Sequence, residues 1–448
     1  MSIQSLTLSD KISWSSPAAN DDEEVNDLIQ TAVAQTTQRI SNRVEMSEEE
    51  KKTKIVETDK LDGLVCYHFF DCDNNSSEEH KQLRGIIKEK ETNKIICKTF
   101  GYTPEVVEND DENIQRFVVP MVEAKATCFY SYEGSLLRMF NYNNKWYLAT
   151  HRKINAFKSR WGFGKSYGDL FAEYLKKFDY FKSFTNEEVV QEFGKCFNPD
   201  QVFVFLITSY KENRIVSNKH LDAPNLYIVG QFQQVENDCI FINKFEDLVV
   251  KSDETEIGKI ATPEMHDIND SNINIDIHYK QGLVLIDSTG NSVKLINKEY
   301  SDLVVLRDNK PNLILRYIEL KQENNAEKLR LFSHVYDDFV EKFKEYDVVM
   351  EDIIGNIFRK YRNRFVRKYQ SIAPPDQYYI IRELHENYLR DTQNVVTPAK
   401  VDSYVKSLKP DRLFGLYSQY VKRREENGHG NKIKEDFRNK VKDIIHAQ

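Results

Sequence analysis

Short apolar and alternating runs, separated by Asn, Asp and Gly, dominate the chain from about residue 60 to residue 310. Alternation with a period of two places successive side chains on opposite faces of a strand, so these runs predict a β-rich body. The sequence YNNK at 142–145 predicts a two-residue hairpin turn. The predicted strands are 85–89, 94–102, 117–122, 135–142, 145–151, 202–210, 213–217, 225–232, 282–287 and 291–296.

Helical periodicity interrupts this pattern and later replaces it. Apolar residues spaced by three or four positions predict helices at 167–178 and 187–193. Beyond about residue 320, the same spacing runs from Leu331 to Phe365 and predicts one long amphipathic helical stretch, broken at most near Gly355. Prolines and glycines divide the rest of the chain into three further helical segments.

These patterns predict an α+β protein in which a mixed body is followed by an all-α C-terminal domain. Residues 1–55 are polar and acidic, which is typical of a flexible arm. The predicted domains are therefore the arm (1–55), the body (56–318) and the basic helical domain (319–448). Within the body, the charged and mixed segment 244–274 predicts an insertion or a linker.

Length and composition agree with this division. A chain of 448 residues exceeds what one hydrophobic core usually organises, and 40% hydrophobic residues suffice for two cores. No apolar run approaches the roughly 20 residues of a membrane span, and no secretion signal is recognisable. The six cysteines form no CxxC pair, which argues against a zinc site or a disulfide framework. We therefore expect a cytoplasmic protein without a membrane partner.

The net charge of −8 is unevenly distributed, because residues 321–448 carry 25 Lys and Arg against 20 Asp and Glu. The segment 358–370 contains no acid and interleaves its cations with aromatic residues, which suits contacts to RNA phosphates if it is helical. A solvated basic face on a helix bundle explains the same pattern equally well. The predicted RNA-binding residues are Arg359, Lys360, Arg362, Arg364, Arg367 and Lys368.

Three familiar motifs are only approximated. WGFGKSYG at 161–168 ends like a P-loop, but Ser159 stands where the first glycine is required. DCDNN at 71–75 lacks the glycine and the distal glutamate of a calcium loop. The His-Glu pair at 385–386 has no second histidine one turn later, so it does not predict a metalloprotease, and we predict no metal site.

Five segments occur in an order that is more informative than any of them alone. They contain Arg84-Gly85, the sequence YEGSLLR (132–138), THRK (150–153), FLITSYKENRIV (205–216) and QGLV (281–284), followed by Lys294 and Lys298. Over about residues 60–310 the ordered set resembles the covalent nucleotidyltransferase superfamily, nearest to the phage-type RNA ligases and related proteins of large DNA viruses. The resemblance implies an ATP-grasp-like ligase body of antiparallel sheets with helices.

The resemblance also implies a chemistry that this chain departs from. In that family a lysine amine attacks the α-phosphate of ATP, with Mg²⁺ and further lysines neutralising the phosphates. The lysine precedes the motif acid by two residues. If Glu133 is that acid, the position of the lysine is occupied by Ser131. The acids of two later motifs fall at Leu206 and Gln281. A serine without an adjacent base is a poor nucleophile, so the covalent step is expected to be lost.

Other residues of the pattern remain and predict nucleotide binding. Two lysines, Lys125 upstream and Lys145 on the facing strand, are candidates to replace the missing amine. If the motif resemblance is instead accidental, YEGSLL is merely the start of a hairpin. The predicted nucleotide-binding residues are Arg84, Glu133, Gly134, Arg138, Arg152, Gln281, Lys294 and Lys298.

Three functional hypotheses follow. The favoured one is a degenerate, RNA-ligase-like viral protein that binds RNA or nucleotide, located in the host cytoplasm or the virion. The second is an active ATP- and Mg²⁺-dependent RNA ligase or capping-type enzyme that uses Lys125 or Lys145. The third is a scaffold that binds viral proteins and whose pocket has closed.

Overall fold

The alternating segments form four β-sheets in the computed structural model, which describes residues 53–161, 164–210, 214–217, 220–252, 255–267, 275–308, 310–369 and 371–426. The described residues from Ile55 onwards form one unit. Most of the predicted arm, residues 1–52, lies outside the described residues, as does the chain end after residue 426. The domain boundary at residue 318 stays a prediction.

The sheets are almost entirely antiparallel. Their orders are β1-β2-β3-β4, β11-β10-β9-β7-β8, β12-β13 and β5-β15-β14-β6, and only the β5–β15 pair is parallel within the described residues. In chain order the strands are β1 (Ile55–Leu61), β2 (Leu64–Phe69), β3 (Ile86–Glu89), β4 (Ile95–Cys97), β5 (Glu105–Val107), β6 (Thr127–Ser131), β7 (Ser135–Tyr142), β8 (Lys145–Ala149), β9 (Gln201–Thr208), β10 (Asn225–Gln234), β11 (Cys239–Ile242), β12 (Leu248–Ser252), β13 (Thr255–Ile260), β14 (Gly282–Ile286) and β15 (Ser292–Ile296).

The helices concentrate after the last strand. In chain order they are α1 (Glu78–Lys81), α2 (Asp111–Asn113), α3 (Val119–Glu123), α4 (Tyr167–Leu175), α5 (Asn186–Gly194), α6 (Lys298–Arg307), α7 (Leu313–Gln322), α8 (Ala326–Val335), α9 (Val340–Tyr361), α10 (Pro375–Arg390), α11 (Pro398–Lys406) and α12 (Pro410–Glu426). The mixed α and β composition predicted from periodicity is therefore observed. None of the described helices combines the length and apolar character that crossing a membrane requires.

The five-stranded sheet follows the sequence pattern closely. Asn143 and Asn144 have φ of 51° and 59° and form the turn between β7 and β8, as predicted from the hairpin sequence. One face of the sheet packs against α4 and α5 through a core rich in phenylalanine. The predicted helices at 167–178 and 187–193 correspond to α4 and α5, and Ser166 and Thr185 cap their N-termini.

The strand predicted at 117–122 is wrong, because this segment is helical. A π-helical turn at Ile114–Val118 continues directly into α3. Pro120 lies in the first turn of α3, where its missing N–H is not needed. The apolar side chains that suggested a strand pack on the β5-β15-β14-β6 sheet from a helix. The segment is therefore partly buried, but its apolar residues follow the helical period and not the period of two.

One further strand prediction fails between β9 and β14, and a second segment there contains strands that were not predicted. Residues 214–217 are not a strand. The backbone N–H groups of residues 215–217 donate to the side chain of Glu133 instead of to a neighbouring strand. The segment 244–274, predicted as an insertion or linker, contains the hairpin β12–β13. Val250 and Ile260 of this hairpin are fully buried in the phenylalanine-rich core, so the hairpin belongs to the body.

The predicted long helix from Leu331 to Phe365 is two helices. α8 ends at Val335, and a 3₁₀ turn at Asp337–Phe339 precedes α9. Gly355 lies inside α9 and does not interrupt it. The following helices α10, α11 and α12 are the three segments that the prolines predicted.

Truncating Phe193 should destabilise the body. Its fully buried ring lies 4.9 Å from that of Phe197 and 5.6 Å from that of Phe171, measured between centroids. Phe193→Ala leaves a cavity in this core and should lower the free energy of unfolding by about 3–5 kcal/mol, measured by urea denaturation. Ile240→Ala removes a side chain that is 58% exposed on β11 and should cost less than about 1 kcal/mol. Equal losses in the two variants would contradict this assignment of the core.

Candidate functional site

A cavity of about 980 Å³ is lined by residues of both the five-stranded sheet and the β5-β15-β14-β6 sheet. The chain crosses from one sheet to the other at residues 132–134, between the end of β6 and the start of β7. This crossing carries the motif that the sequence singled out. Of the predicted nucleotide-binding residues, those that line the cavity are Arg84, Glu133, Gly134, Arg152, Gln281 and Lys294, together with Ser131.

Ser131 is held by the residue that replaces the fourth-motif acid. β6 and β14 pair with Ser131 opposite Gly282, which places Gln281 beside Ser131. The Gln281 side-chain amide donates to the Ser131 hydroxyl at 3.0 Å and to the Tyr132 carbonyl at 2.7 Å. Ser131 is only 4% exposed. Among the described residues no group accepts a hydrogen bond from the Ser131 hydroxyl, so this geometry does not activate it as a nucleophile.

The Glu133 carboxylate is enclosed by hydrogen-bond donors of the protein itself, a group of contacts that we term the Glu133 cage. Oε2 accepts from the backbone N–H of Ile215 at 2.9 Å. Oε1 accepts from the N–H groups of Val216 and Ser217 at 2.5 and 2.9 Å, and from the Tyr300 hydroxyl at 2.7 Å. Glu133 is 3% exposed, so these donors replace water around a buried charge.

The cage is fixed from outside by the helices. The Tyr336 hydroxyl donates to the Ile215 carbonyl, and the Arg214 guanidinium donates to the Val335 carbonyl at 2.8 Å. Burial, followed by the charge and the hydrogen bond of Glu133, raises the pKa of Tyr300 far above its usual range, so its hydroxyl remains a donor. Contacts at the end of α8 therefore hold the segment that surrounds the Glu133 carboxylate.

Gly134 is required by the close approach of two strands. A Cβ atom at this position would lie 2.6 Å from the Ile207 carbonyl oxygen and 2.8 Å from Leu206 Cδ1. Leu206, at the position that the resemblance assigns to an acid, also lines the cavity. The glycine therefore allows β7 to leave the motif directly alongside β9.

One wall of the cavity is cationic. Arg84 donates to the Gly101 carbonyl at 3.2 Å, and Lys294 forms an ion pair with Glu105 at 3.1 Å. Arg152 is exposed, and the described residues provide no carboxylate partner for its guanidinium. Guanidinium groups bind phosphate in a bidentate manner, so this wall suits a phosphate-bearing ligand.

Two histidines lie beside this wall. Burial is the main cause that lowers the pKa of His68 to about 4, and the nearby charges of Arg152 and Arg84 contribute to the same shift. Desolvation and the same kind of repulsion, chiefly from Arg84 and Arg138, hold the pKa of His151 well below its usual range. The two rings lie 6.3 Å apart and both line the cavity. Both imidazoles are therefore neutral at pH 7.

Arg138 and Lys298 were predicted to bind nucleotide, but the structure places neither on the cavity wall. Arg138 is fully buried and donates to the backbone carbonyls of Gly85 and Thr150, so it supports the wall from behind. Lys298 begins α6 and forms an ion pair with Asp302.

The candidate replacement lysines also lie away from the cavity lining. Lys125 is exposed in the turn before β6, with φ of 54°. Lys145 is exposed at the start of β8 and forms an ion pair with Asp62 at 2.7 Å. The one lysine among the described lining residues is Lys294.

The cavity does not fit a divalent metal ion. Its acidic lining residues are Glu105, which pairs with Lys294, and Glu133, which is saturated by the cage. Leu206 and Gln281 supply no carboxylate where the resemblance requires one. Within the described residues, no group of three or more His, Cys, Asp or Glu side chains could hold a metal. The predicted use of Mg²⁺ therefore has no supporting donor set in this part of the chain.

The predicted RNA-binding residues lie at the end of α9, among the C-terminal helices. Arg359 and Lys360 are in its last turn, and Arg362 and Arg364 are in the π-helical turn that follows. Arg367 and Lys368 are exposed beyond that turn. A second concavity of about 610 Å³ adjoins this segment.

The cage donors were not predicted from the sequence. Backbone N–H groups at 215–217 carry no side-chain signature, and the apolar pattern there suggested a strand. Tyr300 stands two residues after Lys298, but a tyrosine in an amphipathic segment is more often a core residue. Only the three-dimensional path of the chain brings these groups to Glu133.

Comparisons with known proteins give two viral relatives. No protein-family model matches the chain. The immediate-early protein ICP-46 homolog of Invertebrate iridescent virus 3 is 26% identical over 68% of this chain and 64% of its own length. The homolog of Invertebrate iridescent virus 6 is 25% identical over 74% of this chain and 77% of its own length. The match thus spans less than two thirds of the first relative.

The solved structures that match this chain include ligases. A putative ATP-dependent DNA ligase from Aquifex aeolicus has 12% identity and a TM-score of 0.32, covering 76% of this chain and 86% of the ligase. A Naegleria gruberi RNA ligase with PPi has 9% identity and a TM-score of 0.27, covering 42% of this chain and 55% of the ligase. A mutant of that RNA ligase was solved with ATP and Mn. Scores this low leave the chemistry of the site to the residues of this chain.

Acidification should destabilise the protein through His68. The unfolded chain binds a proton at this histidine near pH 6.5, whereas the folded protein binds it only near pH 4. The stabilising contribution is therefore complete above pH 6.5 and is lost as the pH falls towards 4. His68→Gln should show a smaller loss of stability to urea across this range than the wild type.

The exposed His278 provides the matched control. His278→Gln should retain the wild-type dependence of stability on pH. Parallel profiles for the wild type and His68→Gln would contradict the assignment of a neutral, buried imidazole to the cavity wall.

Proposed function

We propose that this protein is an RNA-ligase-like nucleotidyltransferase homologue that binds a nucleotide in the cavity without forming a lysyl-AMP intermediate. The observation that carries the proposal is the state of Ser131: the position of the expected lysine holds a buried hydroxyl that accepts from Gln281. Covalent transfer requires an amine at the α-phosphate, and no lysine other than Lys294 lines the described cavity.

Phosphate binding is supported by the cationic wall. Arg84, Arg152 and Lys294 line the cavity, and among the residues that the structure describes only Glu105 forms an ion pair with one of them. Burial is the main cause of the neutral state of His68 and His151, and the charges of the nearby arginines contribute to it. A nucleotide bound here would place its phosphates against the arginines, which form charge-assisted hydrogen bonds with phosphate oxygens.

Ribose recognition in this protein would not use Glu133. The carboxylate already accepts from three backbone amides and the Tyr300 hydroxyl. A ribose hydroxyl would have to displace one of these buried donors and leave it unsatisfied. We infer that the carboxylate has become a structural element of the cavity rather than a contact to the ligand.

The two alternative functions are less well supported. An active ligase needs a free amine near the α-phosphate, yet Lys125 and Lys145 are outside the lining and Lys294 is paired with Glu105. A scaffold with a closed pocket is disfavoured by the volume of the cavity, about 980 Å³. That volume lies within the range of small-molecule sites, roughly 300–1,000 Å³.

Incubation with ATP should separate these functions. The full-length protein should bind ATP by isothermal titration calorimetry and should remain unlabelled after incubation with α-³²P-ATP and Mg²⁺ and denaturing electrophoresis. Arg152→Glu should weaken ATP binding by at least about tenfold, since a charged hydrogen bond contributes roughly 1.5–3 kcal/mol. Lys94→Glu, the same charge change outside the cavity lining, should leave the affinity unchanged. Acid-labile labelling of the wild type would overturn the proposal.

Restoring the lysine alone should not restore the chemistry. Ser131→Lys supplies an amine at the motif position, but Leu206 and Gln281 still leave a divalent ion without carboxylates. We expect this variant to remain unlabelled in the same assay. Ser131→Ala is the matched variant, and circular dichroism of both verifies folding. A labelled Ser131→Lys protein would show that the lysine was the one missing component.

A further inference from the structure

The second concavity, of about 610 Å³, lies in the helical part of the chain and has no role in the function proposed above. It is formed where the chain leaves α9 and turns into α10. We term it the basic-aromatic groove, and its defining lining residues are Arg364, Phe365, Lys368, Tyr369, Ile372 and Tyr378.

The cations around this groove are not neutralised by the protein. The segment 358–370 contains six lysines and arginines and no acid, and none of the six forms an ion pair within the described residues. The nearby Asp376 is engaged by Arg423, at 2.9 Å to each carboxylate oxygen. Other exposed lysines of α9 do have partners, as in the pairs Lys342–Glu345 and Lys344–Glu341. The uncompensated charge is therefore specific to this end of the helix.

Aromatic side chains lie beside these cations, and one of them is exposed to solvent. Tyr369 is 64% exposed at the groove. The Arg364 guanidinium lies 5.1 Å from the centroid of the Tyr378 ring and 5.8 Å from that of Phe365. An exposed aromatic ring next to arginine is an arrangement that stacks nucleobases while the guanidinium contacts phosphate.

The backbone that presents these groups is specifically shaped. After the π-helical turn, Lys368 takes a left-handed conformation with φ of 56°, which is costly for a residue with a side chain. The Tyr369 N–H then donates to the Asn363 carbonyl at 2.8 Å. A helix that needed only a stabilising cation at its C-terminus would require neither this turn nor an exposed tyrosine.

We propose that the basic-aromatic groove binds single-stranded nucleic acid. The phosphates lie along Arg362, Arg364, Arg367 and Lys368, and one unpaired base stacks on Tyr369. Single strands are favoured over acidic peptides because a nucleotide uses both parts of the groove, its base stacking on the exposed tyrosine and its phosphate contacting the cations, whereas an acidic side chain uses the cations alone. This site is distinct from the cavity and goes beyond the proposed nucleotide-binding function.

Fluorescence anisotropy with a labelled 12-nucleotide oligouridylate tests the proposal on the full-length protein. In a plot of the logarithm of the binding constant against the logarithm of the salt concentration, four phosphate contacts predict a slope of about −3. Arg364→Gln with Arg367→Gln should reduce the slope to about −1.4. Tyr369→Ser should weaken binding by about fivefold or more while leaving the slope unchanged.

Matched variants control for surface charge and for loss of an exposed ring. Lys342→Gln with Lys344→Gln neutralises two lysines on the same helix, and Tyr379→Ser removes a neighbouring tyrosine that is 59% exposed and does not line the groove. Neither should change affinity or slope. Arg152→Glu in the cavity should likewise leave oligonucleotide binding intact, so failure of ATP binding and failure of this proposal remain distinguishable.

Several outcomes would overturn the proposal. One is no binding of the oligouridylate in 50 mM salt, and another is binding that persists in the Arg364 and Arg367 variant. Equal binding of polyglutamate of the same length would show that the groove recognises negative charge and not a nucleic acid. Binding of phosphatidylserine vesicles, lost in the same variants and without oligonucleotide binding, would assign the groove to a membrane surface. Oligothymidylate of equal length distinguishes DNA from RNA as the source of the strand.

Discussion

The structure around the cavity depends on satisfying one buried charge. A carboxylate removed from water is stable only if hydrogen-bond donors surround it, and the described donors to Glu133 come from two separate parts of the chain. Three are backbone amides of 215–217, and the fourth is a hydroxyl on α6. Because Tyr336 then holds the Ile215 carbonyl, the same charge connects the β-sheets to the C-terminal helices. The loss of any donor would leave an uncompensated group in the interior.

The hydrogen bonding of the motif residues differs from that of the arginines on the cavity wall. A nucleophile needs a base that accepts its proton, whereas Ser131 accepts from Gln281, and Glu133 is engaged by the cage. The arginines on the cavity wall, in contrast, have no carboxylate partner among the described residues. Arg152 lacks a carboxylate partner among the described residues, so its binding capacity remains available. These features support the proposed binding of a phosphate-bearing ligand without covalent transfer.

The sequence predicted most of the sheets and the centre of the site, because both depend on local signals. Alternation located β7 to β10, and the paired asparagines located their turn. The motif spacing brought Ser131, Glu133 and Gln281 together correctly. Failures occurred where tertiary contacts decide the outcome. The apolar side chains of 117–122 pack equally well from a helix, and Arg138 is buried by strands that are distant in sequence.

The composition of the cage has a consequence for sequence drift. Since Ile215, Val216 and Ser217 contribute N–H groups to Glu133, each can be replaced by many residue types without removing its donor. Proline is the exception, because it has no N–H. Tyr300 contributes through its side chain and has no such freedom. Val216 and Ser217 are buried, and the Ser217 hydroxyl donates to the Ile277 carbonyl at 2.6 Å, so packing and this bond limit replacements there rather than the cage itself. A change of the tyrosine would mark a site built differently.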